Sequence, residues 1–376
     1  MPGPTPSGVD AIRATMQAFD HFSRVMAIRC GERVLMLTDP YLDPRVVQAI
    51  EGLARARGAS LRVFMEATSQ VEEIPPSVRP LLEEADFVVS TWFCSVISPL
   101  CIELRRRGQR WVKITYFRDF DLLQTPQACF PPELVGELIR STANRFPEQG
   151  DFDLVLTNPR GTKLRIGYTE AMCHALLSGN RWRGQMLADE PGCYVHYLPS
   201  HGPNLWDRTA HNNDDAAALD FKGELVPDGA VGFPDSFDSQ LRCSFEGDTI
   251  VAVDLQTDAP WGRALAEALP GARLIELGCG FAPKASRSTI YPAGSNAPGT
   301  LHFGVTLREP SAWLRTRLPQ WEEPPTHLDL VVHDATVRAG GHLLIDNGDL
   351  LALHDPAVLE AAARFGDPLV LLEGVP

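Results

Sequence analysis

The chain has 376 residues, of which 44% are hydrophobic and 22% are charged, and its formal net charge at pH 7 is -14. This length and composition are those of an ordinary globular protein that is long enough to bury two hydrophobic cores. The acidic balance argues against a nucleic-acid or anionic-membrane partner, because a polyanion would be repelled.

Cysteine usage and hydropathy give two further expectations. The eight cysteines lie far apart, and no CxxC pair occurs among them. Such spacing is typical of reduced thiols in a cytoplasm rather than of a disulfide framework or a zinc-thiolate cluster. We find neither a signal peptide nor a run of about twenty apolar residues. We therefore predict a cytoplasmic protein with no membrane partner and no nucleic-acid partner.

The first 150 residues alternate between strand and helix patterns. The predicted elements are strands at 33–37, 61–66, 86–89 and 111–117 and helices at 44–57, 98–107 and 132–146. Strands that alternate with helices through short connections form a parallel sheet covered by helices. We therefore predict that residues 1–150 form an α/β domain with a parallel sheet.

From residue 151 onwards, short strands separated by turns replace this alternation. The clearest predicted elements are strands at 154–157, 163–168, 223–226, 240–245 and 249–254 and one helix at 262–269. Strand pairs joined by tight turns are antiparallel neighbours. Residues 151–376 are therefore predicted to be a larger, β-rich α+β domain.

His327 and Asp329 are the most informative pair of residues in this second domain. They lie two residues apart in the apolar run 327–332, and alternate residues of a strand point to the same face of its sheet. An imidazole and a carboxylate together suit zinc, manganese, cobalt or ferrous iron. Because such a pair also occurs by chance in hydrogen-bonded surfaces, a metal site requires further ligands elsewhere in the chain.

Two upstream segments supply those ligands. Glu276 follows the apolar residues 274–275, and His302 lies in a second apolar run, so that two carboxylates and two histidines are available. The glycines after Glu276 also look like the first motif of Rossmann-type methyltransferases. However, Pro283 follows them, and no acidic residue appears again before Glu309. A metal site is therefore the preferred interpretation.

Across most of its length the chain resembles a known superfamily. This superfamily joins the thermophilic-type metallo-aminopeptidases, the aminopeptidase T and S group, to the dihydroxypyridine ring-cleaving iron dioxygenases. The matching segments are GERVL at 31–35, ADFVV at 85–89, ADEPG at 188–192, LPS at 198–200, ELG at 276–278, PKA at 283–285 and THLD at 326–329. Their order and spacing imply the fold of this superfamily.

The resemblance implies a metal site whose ligands are Glu276, His302, His327 and Asp329. The last two positions bind metal in both branches. The first two match the peptidases, since the dioxygenases have a histidine and an apolar residue there. The implied cofactor is a divalent ion: Zn, Mn, Co or Fe(II). The chain lacks an acid expected shortly before His302 and a tyrosine expected after it, which leaves open whether one ion or two are bound.

The resemblance also implies residues that act beside the metal. His196 matches the active-site histidine of the dioxygenases, and we predict that it is the catalytic proton acceptor. His201 falls near a glutamate position of the peptidases and is predicted to bind substrate. Whether His201 or Glu224 enters the site stays open. Ile97 stands where the dioxygenases have a catalytic histidine, which favours the peptidase branch.

Three functions are compatible with these residues. The first is a metal-dependent hydrolase that acts on a peptide-like or amide substrate through a metal-activated water. The second is a non-catalytic protein that binds a peptide or a small-molecule intermediate on the aminopeptidase fold. The third is an Fe(II) ring-cleaving dioxygenase. In each case the resemblance implies a homodimer.

Overall fold

The computed structural model of the protein describes residues 8–66, 74–92, 94–197, 202–207, 221–233, 236–255, 257, 259–287, 296–318 and 326–375. The chain forms two compact units. The first unit contains Met1–Leu134 and Gln185–His201, and the second contains Val135–Gly184 and Gly202–Pro376. The sequence predicted one boundary near residue 150, whereas the chain passes between the units three times.

In chain order, the elements of the first half are α1 (Gly8–Met26), β1 (Arg33–Thr38), α2 (Pro44–Ala56), β2 (Ser60–Met65), α3 (Arg79–Glu84), β3 (Phe87–Ser90), α4 (Cys94–Ile97), α5 (Pro99–Arg106), β4 (Arg110–Lys113), a 3-10 helix (Phe120–Gln124), α6 (Pro132–Ala143), β5 (Phe152–Thr157), β6 (Lys163–Tyr168) and α7 (Glu170–Leu177). Those of the second half are β7 (Tyr194–His196), β8 (Asn204–Asp207), β9 (Phe221–Leu225), β10 (Gly229–Ala230), β11 (Leu241–Glu246), β12 (Thr249–Leu255), α8 (Pro260–Ala268), β13 (Arg273–Cys279), β14 (Leu301–Thr306), α9 (Ala312–Arg315), β15 (His327–Val332), β16 (Thr336–Ala339), β17 (His342–Asp346), β18 (Asp349–Leu350), a 3-10 helix (Leu351–His354), α10 (Pro356–Ala362) and α11 (Pro368–Leu372).

The first unit is built on a five-stranded parallel sheet. Its strand order is β2-β1-β3-β4-β7, and each neighbouring pair is parallel. The predicted α/β domain with a parallel sheet is therefore confirmed. The fifth strand, β7, comes from the later segment Gln185–His201, which the sequence placed in the second domain. A parallel strand joins its sheet through a long crossover connection. The residue pattern of β7 alone does not show which sheet the strand joins.

Alternate residues of the central strands pack into two separate cores. Val34 and Met36 of β1 belong to the cluster that contains Phe22 of α1 and Val46 of α2. Leu35 and Leu37 of the same strand belong to the cluster that contains Leu82 of α3 and Leu104 of α5. Because neighbouring side chains of a strand point to opposite faces, helices cover both faces of the sheet. This double burial explains why the strands β1 and β3 are apolar at most positions.

Asp43 caps helix α2 and fixes where this helix begins. One carboxylate oxygen accepts a hydrogen bond from the backbone N–H of Arg45 at 2.8 Å, and Pro44 occupies the first turn, where it is tolerated. The backbone N–H of Phe120 donates to the other oxygen at 3.1 Å. The hydrogen bond from the Arg45 guanidinium and these backbone donors lower the pKa of the Asp43 carboxyl to about 2.

The second unit is built on a large antiparallel sheet. The strand order is β10-β15-β14-β13-β12-β11-β9-β6-β5-β16-β17-β18, and β8 also pairs with β13. The predicted β-rich architecture is confirmed, and the five strands predicted between residues 154 and 254 fall within a few residues of their predicted ranges. The antiparallel pairing of β13 with β14 also excludes the Rossmann-type interpretation of the glycines after Glu276, because that motif belongs to a parallel sheet.

Several smaller expectations can be compared with the structure. Strand β4 ends at Lys113 and is therefore shorter than the predicted strand 111–117, although Ile114, Thr115 and Phe117 beyond its end are buried. All eight cysteines are free thiols, in agreement with the absence of a disulfide framework. Among the helices of the described ranges, none has the length and hydropathy needed to cross a membrane.

Candidate metal centre

Three adjacent strands of the second unit bring the candidate ligands together. Glu276 of β13 lies opposite Gly304 of β14, and Gly304 lies opposite Asp329 of β15. Directly opposed residues in neighbouring strands point to the same face of the sheet. The two carboxylates therefore project from one row on the same face, on either side of the central strand.

Gly304 leaves the space between these carboxylates open. A Cβ at this position would lie 2.5 Å from Cγ of Glu276, 3.0 Å from its Oε1 and 3.1 Å from Oδ1 of Asp329. Any side chain would therefore separate the two acids or push them out of position. A glycine inside a strand commonly marks such a close approach of neighbouring groups. The row Glu276, Gly304 and Asp329 thus forms a cradle of carboxylate oxygens with no side chain in its centre.

His327 completes a compact group of three ligands. Its Nε2 lies 2.9 Å from Oδ1 of Asp329 and 3.5 Å from Oε1 of Glu276. One ligand atom from each of the three residues can be chosen so that all lie within 4.8 Å of one another. This is the only such group of histidine, cysteine or acidic residues in the ranges that the structure describes.

Burial and charge act in opposite directions on Asp329. Burial would raise the pKa of its carboxyl, but the charge and hydrogen bond of His327 outweigh that effect and hold the pKa below its usual value. His302 acts in the same direction, whereas the neighbouring carboxylate of Glu276 opposes it. Asp329 is therefore anionic at neutral pH, which is the state required of a metal ligand.

His302 lies beside this group on the central strand. It is fully buried and lies opposite Gly278 of β13, two residues from Gly304 along β14. Its imidazole covers Gly278, since a Cβ there would lie 1.9 Å from Cε1 and 2.0 Å from Nε2 of the ring. His302 shares the face of the sheet with Glu276 and Asp329 but does not belong to the compact group of three. Its assignment as a fourth ligand stays a prediction.

Asn204 donates a hydrogen bond to one carboxylate oxygen of Glu276. Its Nδ2 donates to Oε2 of Glu276 at 2.9 Å, and β8 brings it there by pairing with β13. Asn204 is 4% exposed, so this hydrogen bond is protected from solvent. A partner of this kind orients a ligating carboxylate, and such partners influence metal affinity strongly.

The remaining predicted site residues are His196, His201 and Glu224. His196 ends β7 in the first unit, where its ring packs edge-on against Tyr194 with 5.1 Å between the ring centroids. His201 lies outside the residues that the structure describes. Glu224 pairs with Arg242 at 2.5 Å on strands β9 and β11 and is not a member of the ligand group.

The donor set fits a divalent ion. Two carboxylates and one imidazole provide oxygen and nitrogen ligands, a mixture that suits Zn, Mn, Co or Fe(II). The carboxylate side chains are 17% and 13% exposed at Glu276 and Asp329, so neither is completely shielded from solvent. Two carboxylates held this close repel each other unless a proton or a cation lies between them. The geometry therefore fits a bound cation well.

Two residues of the site were missed by sequence reasoning. Gly304 lies inside the apolar run LHFGVT, and an isolated glycine in a strand is a known sign of close approach that could have singled it out. Asn204 carries no such sign. Its contact with Glu276 depends on the pairing of two strands that are 72 residues apart at these positions.

Two of the solved structures that are similar to this chain belong to the branches named above. The structure of 2,5-dihydroxypyridine dioxygenase from Pseudomonas putida KT2440 aligns with a TM-score of 0.56 and 17% sequence identity, over 92% of this chain and 98% of that chain. Wild-type AmpT from Thermus thermophilus aligns with a TM-score of 0.47 and 12% identity, over 90% of this chain and 99% of that chain. Neither protein-family models nor curated protein sequences gave a match. The chain therefore has the same fold as this dioxygenase.

Proposed function

We propose that the protein is a metal-dependent hydrolase that acts on a peptide-like or amide substrate. The observation that carries this proposal is the convergence of Glu276, His327 and Asp329 around the open position at Gly304. Mixed imidazole and carboxylate ligands occur in hydrolytic zinc sites, and the compact group here has one imidazole, whereas non-haem iron oxygenases use two imidazoles and one carboxylate.

The chain's own residues would hold the ion and set its charge. A divalent cation, when bound, supplies a Lewis acid that polarises an amide carbonyl and makes water more acidic. Glu276 and Asp329 contribute two negative charges, which balance such a cation. His327 would contribute Nε2 as a neutral nitrogen once the proton that this atom shares with Oδ1 of Asp329, at 2.9 Å, has left. Asn204 restricts the rotation of Glu276.

The proton acceptor and the partners rest on the family resemblance. We propose His196 as the general base and His201 as a substrate-binding residue. The proposed partners are a peptide-like or small-molecule substrate and a second copy of the chain in a cytoplasmic homodimer. Replacement of His196 by Gln is expected to lower kcat while metal content stays unchanged.

A ring-cleaving Fe(II) dioxygenase is the second candidate function. His302, buried next to the three ligands, would provide the second imidazole of a two-histidine, one-carboxylate set. The similarity of fold to a dioxygenase supports this candidate as well. Its reaction consumes oxygen, whereas hydrolysis does not.

Metal analysis followed by paired assays separates the candidates. Protein purified without chelators is analysed for bound metals and then assayed against aminoacyl anilides and dihydroxypyridines, in air and anaerobically. Amide hydrolysis that continues without oxygen supports the hydrolase. Oxygen-dependent ring opening supports the dioxygenase instead. Protein that contains no metal and turns over neither substrate class contradicts both and supports a binding protein.

The Glu276→Gln variant tests the site itself. It keeps the size of the side chain but removes the negative charge, so metal content and hydrolysis should both be lost while the circular dichroism spectrum is unchanged. The matched control is Glu224→Gln, because Glu224 forms an ion pair with Arg242 outside the ligand group. Unaltered turnover in Glu276→Gln would refute the proposed centre.

A further inference from the structure

We propose that Asn204 is a positioning residue that presents only Oε1 of Glu276 to the cation and so limits the centre to a single ion. This inference rests on the proposed metal function. It concerns a residue on a different strand from every predicted ligand, and it addresses the number of ions, which the sequence left open.

The two oxygens of Glu276 face different partners. Oε1 lies 3.5 Å from Nε2 of His327, within the ligand group. Oε2 accepts the hydrogen bond from Nδ2 of Asn204 at 2.9 Å. Because a carboxylate only accepts hydrogen bonds when ionised, the amide must turn its NH2 towards it. One oxygen therefore faces the cation position and the other faces an N–H donor.

Asn204 is itself firmly held. Asn204 of β8 lies opposite Gly278 of β13, two residues along β13 from Glu276. The indole N–H of Trp182 donates to the backbone oxygen of Asn204 at 3.1 Å. Trp182 is 3% exposed and packs edge-on against Phe146 and Phe281. The backbone of Asn204 is thus held by a buried aromatic cluster, which fixes the point from which its side-chain amide reaches Glu276.

The chemistry of the amide N–H determines what can bind at Oε2. The N–H group carries a positive partial charge and cannot donate an electron pair to a metal. In a dinuclear centre, a bridging glutamate uses its two oxygens for two cations. At Glu276 the position beside Oε2 contains a hydrogen-bond donor, which would repel a second cation. An aspartate in place of Asn204 would instead offer a carboxylate there.

Metal titration of three proteins tests the proposal. Wild-type protein and the variants Asn204→Ala and Asn204→Asp are stripped of metal and titrated with Co²⁺, followed by calorimetry and visible absorption. The wild type should bind one equivalent. Asn204→Ala should bind the first equivalent about 10–100-fold more weakly, as is typical when a partner of a ligand is removed, and should admit a second equivalent because the N–H donor beside Oε2 is gone. Asn204→Asp should bind a second equivalent with an altered absorption spectrum.

Trp182→Phe is the structural control. It removes the indole donor to the backbone of Asn204 but keeps the side-chain amide, so it should lower the melting temperature and weaken Co²⁺ binding less than Asn204→Ala does. Equal affinity in wild type and Asn204→Ala, or two equivalents in the wild type, would overturn the inference about Asn204. Absence of any Co²⁺ binding by the wild type would instead overturn the proposed metal function.

Discussion

Glu276 and Asp329 lie two strands apart, yet they occupy one row of the antiparallel sheet and face the same open space. The strand between them contributes Gly304 to that row. The candidate metal site therefore depends as much on the absence of a side chain at Gly304 as on the side chains that could bind an ion. His327 then closes the group from the same strand as Asp329.

Replacing Gly304 by Ala should weaken metal binding. The added Cβ would lie 2.5 Å from Cγ of Glu276, so that carboxylate must move. We expect at least a tenfold loss of Co²⁺ affinity in titrations and a loss of about 1–3 kcal/mol in the free energy of unfolding, as is usual for overpacking. Gly341→Ala is the matched control, since a Cβ there meets nothing within 4 Å. Equal Co²⁺ affinity in the two variants would contradict the role assigned to Gly304.

His302 and His327 should differ in their effect on metal binding. His327→Gln disrupts the compact group and should abolish binding. His302→Gln should reduce affinity by about 10–100-fold if His302 acts beside the ligands rather than among them. Calorimetric titration with Zn²⁺ measures both effects, and circular dichroism verifies folding. Loss of all binding in both variants would show that His302 is a full ligand.

The capping carboxylate of Asp43 should stabilise the first unit in a pH-dependent manner. Its pKa is lowered to about 2 from 3.8, so its contribution is fully present above 3.8 and is lost as the pH falls through about 2. Asp43→Ala should lower the free energy of unfolding by about 0.5–2 kcal/mol at pH 7, the range found for helix caps. In urea unfolding, this difference should shrink between pH 4 and pH 2. Asp20→Ala, at an exposed i,i+4 pair with Arg24, should change little at any of these pH values.

The partly buried ring of His333 should make the free energy of unfolding fall as the pH falls below 6.5. Burial, assisted by the charge of Arg287, lowers its pKa from 6.5 to about 4. Between these two values the unfolded chain binds a proton that the folded protein does not, so stability is lost as the pH falls from 6.5 towards 4. His333→Gln should remove this part of the pH dependence. The free energies of unfolding of the wild type and His333→Gln are measured in urea at pH 7.5 and pH 4.5. The same pH dependence in both proteins would contradict this prediction.

The local elements of the fold were predictable from the sequence because each leaves a periodic pattern. The run RVLML became β1, and the helix predicted at 44–57 became α2, Pro44–Ala56. The limits of prediction appear at β4, where an apolar run continues beyond Lys113 after the strand has ended. Buried positions are apolar both in strands and in buried turns, so an apolar run by itself does not distinguish the two.

The candidate site was predictable to the extent that its ligands are chemically distinctive. His327 and Asp329 stand two residues apart on one strand, and their shared face follows from strand geometry. Glu276 came from the family resemblance as well as from its residue type. Gly304 and Asn204 were not predicted, because their roles arise from neighbours in the sheet rather than from their own segments.

The sequence by itself determined the types of the elements, the two architectures and the chemical identity of the ligands, since these depend on local periodicity and on side-chain chemistry. Only the tertiary structure decided which side chains meet. Strand register places Glu276, Gly304 and Asp329 in one row, and the pairing of β8 with β13 brings Asn204 to Glu276. Register is set by long-range packing of whole strands, and a shift of one residue would turn every ligand to the opposite face.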